Sequence, residues 1–242
     1  MSEKATLSSA QLLLVLALGL GGGLGGAALW DLTGLGTGTH NRATRDYLMA
    51  HPEVLPEAIQ ALQAKESQAR LAPARAQLET AYPGAVLGNP EGAITLVEFS
   101  DYACGFCRQS VADVEKLIAD NPDLRVVIRE YPILAPESAD AARMALAAAD
   151  QGKFEAFHKA MFAVGRPSAE TIEQAARTAG MDLAAARAAI EGGKYEPELA
   201  GNVSLARSLG FDGTPSWVVG ESGFSGAVGA SALADAIADA RS

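Results

Sequence analysis

Cysteine is nearly absent from this 242-residue chain: there are two. That excludes a disulfide-scaffold protein, which needs several pairs at wide spacing. Basic charge is also short. Lys and Arg together number 19 against 29 Asp and Glu, for a formal net charge of −10. No basic footprint for nucleic acid exists, so nucleic acid is excluded as a partner. Histidine is sparse, with His40, His51 and His158 far apart. With so few Cys and His at no ligand spacing, no metal site is expected. Charge is missing altogether between Lys4 and Asp31.

That uncharged run, Gln11 to Trp30, is Leu-rich and then Gly/Ala-rich. Two readings of residues 1–30 compete. As a signal peptide, Leu12–Leu20 is the apolar core, with small residues at Gly26-Ala27-Ala28 for cleavage. As an uncleaved anchor, about 20 residues just span a bilayer. The anchor is preferred because the apolar run continues through the cleavage region. Either one delivers the rest of the chain to an oxidising compartment. Residues 31–40, rich in Gly and Thr, read as a flexible linker.

Residues 41–82 read as an N-terminal helical region. Leu55, Ile59, Leu62 and Ala69 keep helical spacing. The stripe is narrow. It fits a helix lying on its own domain and self-association equally well.

Tyr82-Pro83-Gly84 breaks the helix and opens a second domain, 83–242. Ala93 to Phe99 reads as a buried strand. Val111, Val114, Leu117 and Ile118 mark an amphipathic helix, and Leu124 to Tyr131 a second strand. A helix-length crossover predicts that these strands are parallel. Residues 136–210 are Ala-rich and helical, with room for four or five helices. Ser216 to Val219 is a third strand, Phe224 to Val228 a short return strand, and Ser231 to Arg241 a final helix. The expected class is α/β.

Both cysteines sit in Cys104-Gly105-Phe106-Cys107. A disulfide closing so short a loop removes little chain entropy, so the pair reads as chemistry rather than as a staple. It follows a buried strand and opens a helix, whose free N–H groups and dipole favour a thiolate. Cys104, before the first turn closes, should be the more exposed nucleophile. Cys107, one turn in, can attack a mixed disulfide. Gly105 and Phe106 supply no charge or polar donor, which predicts a less strongly oxidising pair than one with His between the cysteines. A Cys/His hydrolase would leave Cys107 without a role. His158, among Phe154, Phe157, Met161 and Phe162, reads as a packed or surface histidine.

Three motifs carry a family resemblance. Glu98-Phe99-Ser100-Asp101-Tyr102-Ala103-Cys104-Gly105-Phe106-Cys107 resembles the active-site stretch of DsbA-like thioredoxin-fold proteins. Glu130-Tyr131-Pro132-Ile133-Leu134 resembles their second-strand exit, and Gly213-Thr214-Pro215-Ser216 their cis-proline loop. Residues 41–70 are similar to the N-terminal region of the copper-tolerance (ScsC-type) branch, where such a region can trimerise the protein and support disulfide isomerisation.

The resemblance implies a thioredoxin fold with an inserted all-helical subdomain at about 136–210, preceded by an N-terminal helical region. It implies that Cys104 is the nucleophile and Cys107 the resolving thiol. Pro215 would be cis, with Thr214 facing the cysteines and its backbone free for an extended substrate. Glu98 would be a buried acid that shuttles a proton for Cys107; an inward strand residue that merely pairs is the alternative. Phe106 would line an apolar substrate surface, while Trp217 reads as core. The expected function is an extracytoplasmic thiol–disulfide oxidoreductase that forms or rearranges disulfides in exported, cysteine-containing proteins. It would be periplasmic and tethered to the inner membrane, with a membrane redox partner and self-association through 41–80. No cofactor beyond the redox-active Cys104–Cys107 disulfide is needed. The alternative is a non-catalytic, thiol-based copper-binding or chaperone module.

Overall fold

The computed structural model of the chain describes residues 37–241. The segment 1–30, read as signal or anchor, lies outside the described residues, as does the linker as far as residue 36. Among the described residues no helix is long and apolar enough to cross a membrane. The chain divides into two compact units after Leu62.

The first unit contains helix α1 (Thr37–Ala50) and the start of α2 (Val54–Glu79). The helix begins inside the stretch read as linker. Thr37 to His40 supply its first turn, where N–H groups need no intrahelical partner, so weak helix formers are tolerated there. Pro52 interrupts the helices, because it offers no N–H to continue α1. His51 stacks at 4.6 Å on Tyr47 and reaches Glu53 at 3.2 Å. Tyr47, Met49, Leu55, Ile59 and Leu62 are all exposed.

The second unit is built on a five-stranded sheet of order β1-β3-β2-β4-β5. The strands are β1 (Val86–Gly88), β2 (Ile94–Ser100), β3 (Leu124–Glu130), β4 (Ser216–Val219) and β5 (Ser222–Ser225). β2 and β3 are parallel, as their crossover through α3 (Gly105–Asp120) requires. The other pairs are antiparallel. Strand β1 has no counterpart in the sequence reading, because three residues are too few to show a period. The return strand starts at Ser222 rather than Phe224, so the turn after β4 is tighter than its glycines suggest. Gly84 turns the chain into the sheet at φ +85°, where a Cβ would meet the Ala149 carbonyl oxygen at 2.7 Å.

Five helices run between β3 and β4: α4 (Pro136–Asp150), α5 (Phe154–Val164), α6 (Ala169–Thr178), α7 (Leu183–Glu191) and α8 (Glu196–Ser208). Ser168 and Asp182 cap α6 and α7. Helix α9 (Gly229–Asp239) closes the chain. This is a thioredoxin fold with a helical insertion. Strand alternation divides its core into two layers. Leu96, Val126, Ile128 and Trp217 pack with Val114, Phe157 and Leu233 on one face. Val97, Phe99 and Val127 pack with Leu71, Leu78 and Leu205 on the other.

Candidate active site

The loop after β2 ends on Cys104, which caps α3. Its backbone is extended (φ −79°, ψ 120°), and its sulfur accepts the Cys107 N–H at 3.3 Å. Both thiols are free. The Cys104 S–H donates to the Thr214 carbonyl at 3.2 Å, and the Thr214–Pro215 peptide is cis. Two segments far apart in the chain thus meet at one sulfur.

Cys104 is the more exposed thiol, as expected, though only 4% of it is accessible, against 1% for Cys107. The loop 213–215 lies against the sulfur and covers it. In the thiol form the Cys104 S–H occupies the Thr214 carbonyl, and ionisation of the sulfur frees that carbonyl. Phe106 stands out at 60% exposed, whereas Trp217 is core at 1%.

The two thiols differ sharply. Cys104 is pushed down to about 5. The largest cause is hydrogen bonding from the Cys107 thiol, followed by the Thr214 side chain and the backbone N–H groups of Cys107 and Phe106, all against burial. The Thr214 hydroxyl is buried beside this loop with no hydrogen-bond partner among the described residues. Cys107 is pushed far up, first by burial, then by its bond to Cys104 and the charge of Glu98. One sulfur is therefore a thiolate at neutral pH and the other holds its proton.

Glu98 lies on β2 in register with Trp217 and is 3% exposed. Burial pushes its carboxyl up to about 8; a Ser100 hydrogen bond opposes this and the Cys104 charge adds to it. A group titrating there can accept and return a proton at neutral pH. Glu98 also lines a cleft of about 380 Å³ between α3 and α5, together with Val111, Val114, Ile118 and His158. Lys159, which also lines this cleft, is paired with Glu115 at 3.0 Å and Glu155 at 2.9 Å.

Sequence reading missed four residues around this site. Asp101, buried, takes the backbone N–H of Ala103 on one oxygen and those of Ile133 and Leu134 on the other. Tyr102 donates to Glu130 at 3.1 Å and lies 3.2 Å from His158 Nδ1, with all three buried. His158 is the packed histidine of the two readings, buried among Phe154, Phe162 and Tyr102, and its ring nitrogen also meets the Tyr102 hydroxyl. Burial pushes it down to about 3, so it is neutral. Asp101, Tyr102 and Glu130 stood inside the motifs that carry the resemblance, which was the one available signal.

Residues 95–238 match the DSBA-like thioredoxin domain, and residues 42–69 the N-terminal domain of the copper resistance protein ScsC. A thioredoxin-like oxidoreductase from Silicibacter pomeroyi DSS-3 is 44% identical, over 64% of this chain and 91% of its own, with a TM-score of 0.62. A linker-deletion mutant of Proteus mirabilis ScsC is 26% identical, over 99% of both chains, with a TM-score of 0.63. Among curated proteins, 81 residues are 36% identical to the Na(+)/H(+) antiporter NhaA 1 of Mycobacterium sp. (strain KMS). The match spans 32% of this chain and 13% of that protein.

Proposed function

Given that the chain belongs to the DSBA-like thioredoxin-domain family, we propose that it is an extracytoplasmic thiol–disulfide oxidoreductase that forms or rearranges disulfides in exported proteins. The observation that carries the reading is the asymmetry of the two thiols, a stabilised thiolate at Cys104 beside a protonated Cys107 over a buried acid.

In the oxidising direction, a client thiolate attacks Cys104 of the Cys104–Cys107 disulfide. Cys107 leaves with the electron pair and takes a proton from Glu98. A second client thiolate then attacks the client sulfur of the mixed disulfide and expels the Cys104 thiolate, a good leaving group because it is already stabilised. In the rearranging direction, the Cys104 thiolate attacks a client disulfide. Cys107, its proton passing to Glu98, resolves the complex when no client thiol does. Phe106, exposed beside Cys104, offers an apolar surface to an unfolded client, and Thr214 with Pro215 presents backbone to it. Gly105 and Phe106 add no charge, so the pair is a weaker oxidant than one with His between the cysteines. The working compartment is the periplasm, where disulfides persist. A membrane protein resets the pair, and the exposed apolar residues of 41–80 join copies of the chain.

The test is insulin reduction by dithiothreitol. The wild type should accelerate it and Cys104→Ser should not. An inactive wild type, or a serine variant with undiminished turnover, refutes the enzyme reading in favour of a binding module.

A further inference from the structure

The sheet face beneath the cysteines carries a second carboxyl, which the exchange steps above do not use. In the parallel pairing of β2 with β3, Ser100 sits beside Glu130 and Glu98 beside Ile128. Side chains two apart share a face, so Glu98 and Glu130 occupy the same buried side of adjacent strands. Glu130 is 1% exposed. Tyr102, two residues before Cys104, donates its hydroxyl to Glu130, and His158 from α5 holds that hydroxyl from the other side.

The charged and titratable groups facing this pair come from each surrounding element. Asp101 and Tyr102 belong to the active-site loop, Cys104 and Cys107 to the start of α3, and His158 and Lys159 to α5. From α8, Asn202 donates only to the Glu130 backbone carbonyl, at 3.2 Å. Lys159 is already held by two surface glutamates. Among the described residues neither Glu98 nor Glu130 is in an ion pair. Burial pushes Glu130 well up; the Tyr102 hydroxyl opposes this, while Asp101 and Glu98 add to it. Two unpaired carboxyls in one apolar layer resist double ionisation and titrate as a unit.

Redox change alters the charge above them. The oxidised pair is neutral, whereas the reduced pair carries a thiolate at Cys104, and a new negative charge nearby makes a carboxyl hold its proton more tightly. We propose that Glu98 and Glu130 form one proton store, with Glu130 positioned by Tyr102 and His158, which takes up a proton when the cysteine pair is reduced and releases it on reoxidation. The inference rests on the thiol–disulfide reading. Oxidising a client dithiol breaks two client S–H bonds and the Cys104–Cys107 bond, and forms one client S–S bond. The two electrons and one proton remain as the Cys104 thiolate and the Cys107 thiol. The other proton goes to a carboxylate of the store, not to Cys104.

Reduced-minus-oxidised infrared difference spectra of the full chain, taken across pH in ordinary and heavy water, test this. The wild type should gain a carboxylic acid carbonyl band on reduction at neutral pH, with the isotope shift of an exchangeable proton. Glu130→Gln should lose a large part of that band and titrate the remainder at lower pH, since the neighbouring carboxyl is gone. Tyr102→Phe keeps both acids and removes the bond that favours ionised Glu130, so its band should persist to higher pH. If Glu130→Gln does not fold, the Tyr102→Phe shift decides alone. A redox-active wild type with no such band, or variants with the wild-type band and titration, overturns the store and leaves the functional reading intact. A wild type that does not exchange with glutathione overturns both.

Discussion

The Asp101 carboxylate accepts the Leu134 backbone N–H at 2.9 Å. The same oxygen takes Ile133 at 2.8 Å, and its twin takes Ala103 at 2.8 Å. One buried side chain thus ties the loop that carries Cys104 to the loop leaving β3. Phe106 and Leu134, both exposed, stand on the segments it joins.

Removing that tie leaves three backbone donors without their acceptor. Asp101→Ala should cost about 2–3 kcal/mol of stability, by analogy with other buried unsatisfied groups. Urea unfolding of the reduced protein measures it; a loss within experimental error means the loops do not depend on the carboxylate.

Alkylation of the reduced protein by iodoacetamide should be half-maximal near pH 5, where Cys104 ionises. Cys107→Ala removes the largest cause of that lowering and should move the midpoint up. Thr214→Val removes a smaller one and should move it less, by less than about one pH unit, equivalent to about 1.4 kcal/mol. A midpoint near that of free cysteine contradicts the site described above.

Glu98 gives a pH dependence of stability with a definite sign. Its folded carboxyl titrates at about 8, above the ordinary 4.5. The folded state therefore keeps a proton that the unfolded state has lost, and the acid destabilises the fold increasingly between those limits. Glu98→Gln should match the wild type near pH 4 and exceed it by about 3 kcal/mol at pH 7. Equal unfolding midpoints at both pH values would refute this.

Arg129, 5% exposed, bonds Asn202 at 3.0 Å and Glu198 at 3.2 Å, and donates to the backbone carbonyls of Gln77, Leu78 and Thr80 at the end of α2. A buried guanidinium capping a helix end is costly to lose, because its partners stay buried. Arg129→Leu should cost about 3 kcal/mol. Chemical denaturation followed by circular dichroism should show it; a neutral result means that helix end does not need the cap.

Light scattering of the chain without residues 1–30 should give a multiple of the single-chain mass. Replacing both Leu55 and Ile59 with Asp should return it to a single chain, since charge on an exposed apolar stripe opposes association. A monomeric wild type argues against the rearranging direction.

Much of the fold was legible because its signals are local. The apolar run of β2, the helical period of α3 and the breakers between the inserted helices each lie within a few residues. So does the Cys-x-x-Cys spacing. The contacts that complete the site are not local. Tyr102 meets Glu130 across 28 residues and His158 across 56, and Cys104 meets Thr214 across 110. No periodicity encodes such pairings, so His158 read only as a member of an aromatic helix face.

Covalent chemistry was enough to name the atoms that can react: two sulfurs one helical turn apart, at a helix start behind a buried strand, with no other cysteine to compete. Folding settled the rest, namely which sulfur ionises, how little of it meets solvent, and that two acids share the layer beneath. Reactive atoms are present in the extended chain. Proton affinity is set by burial and by charges from other elements, and neither exists until those elements have packed together.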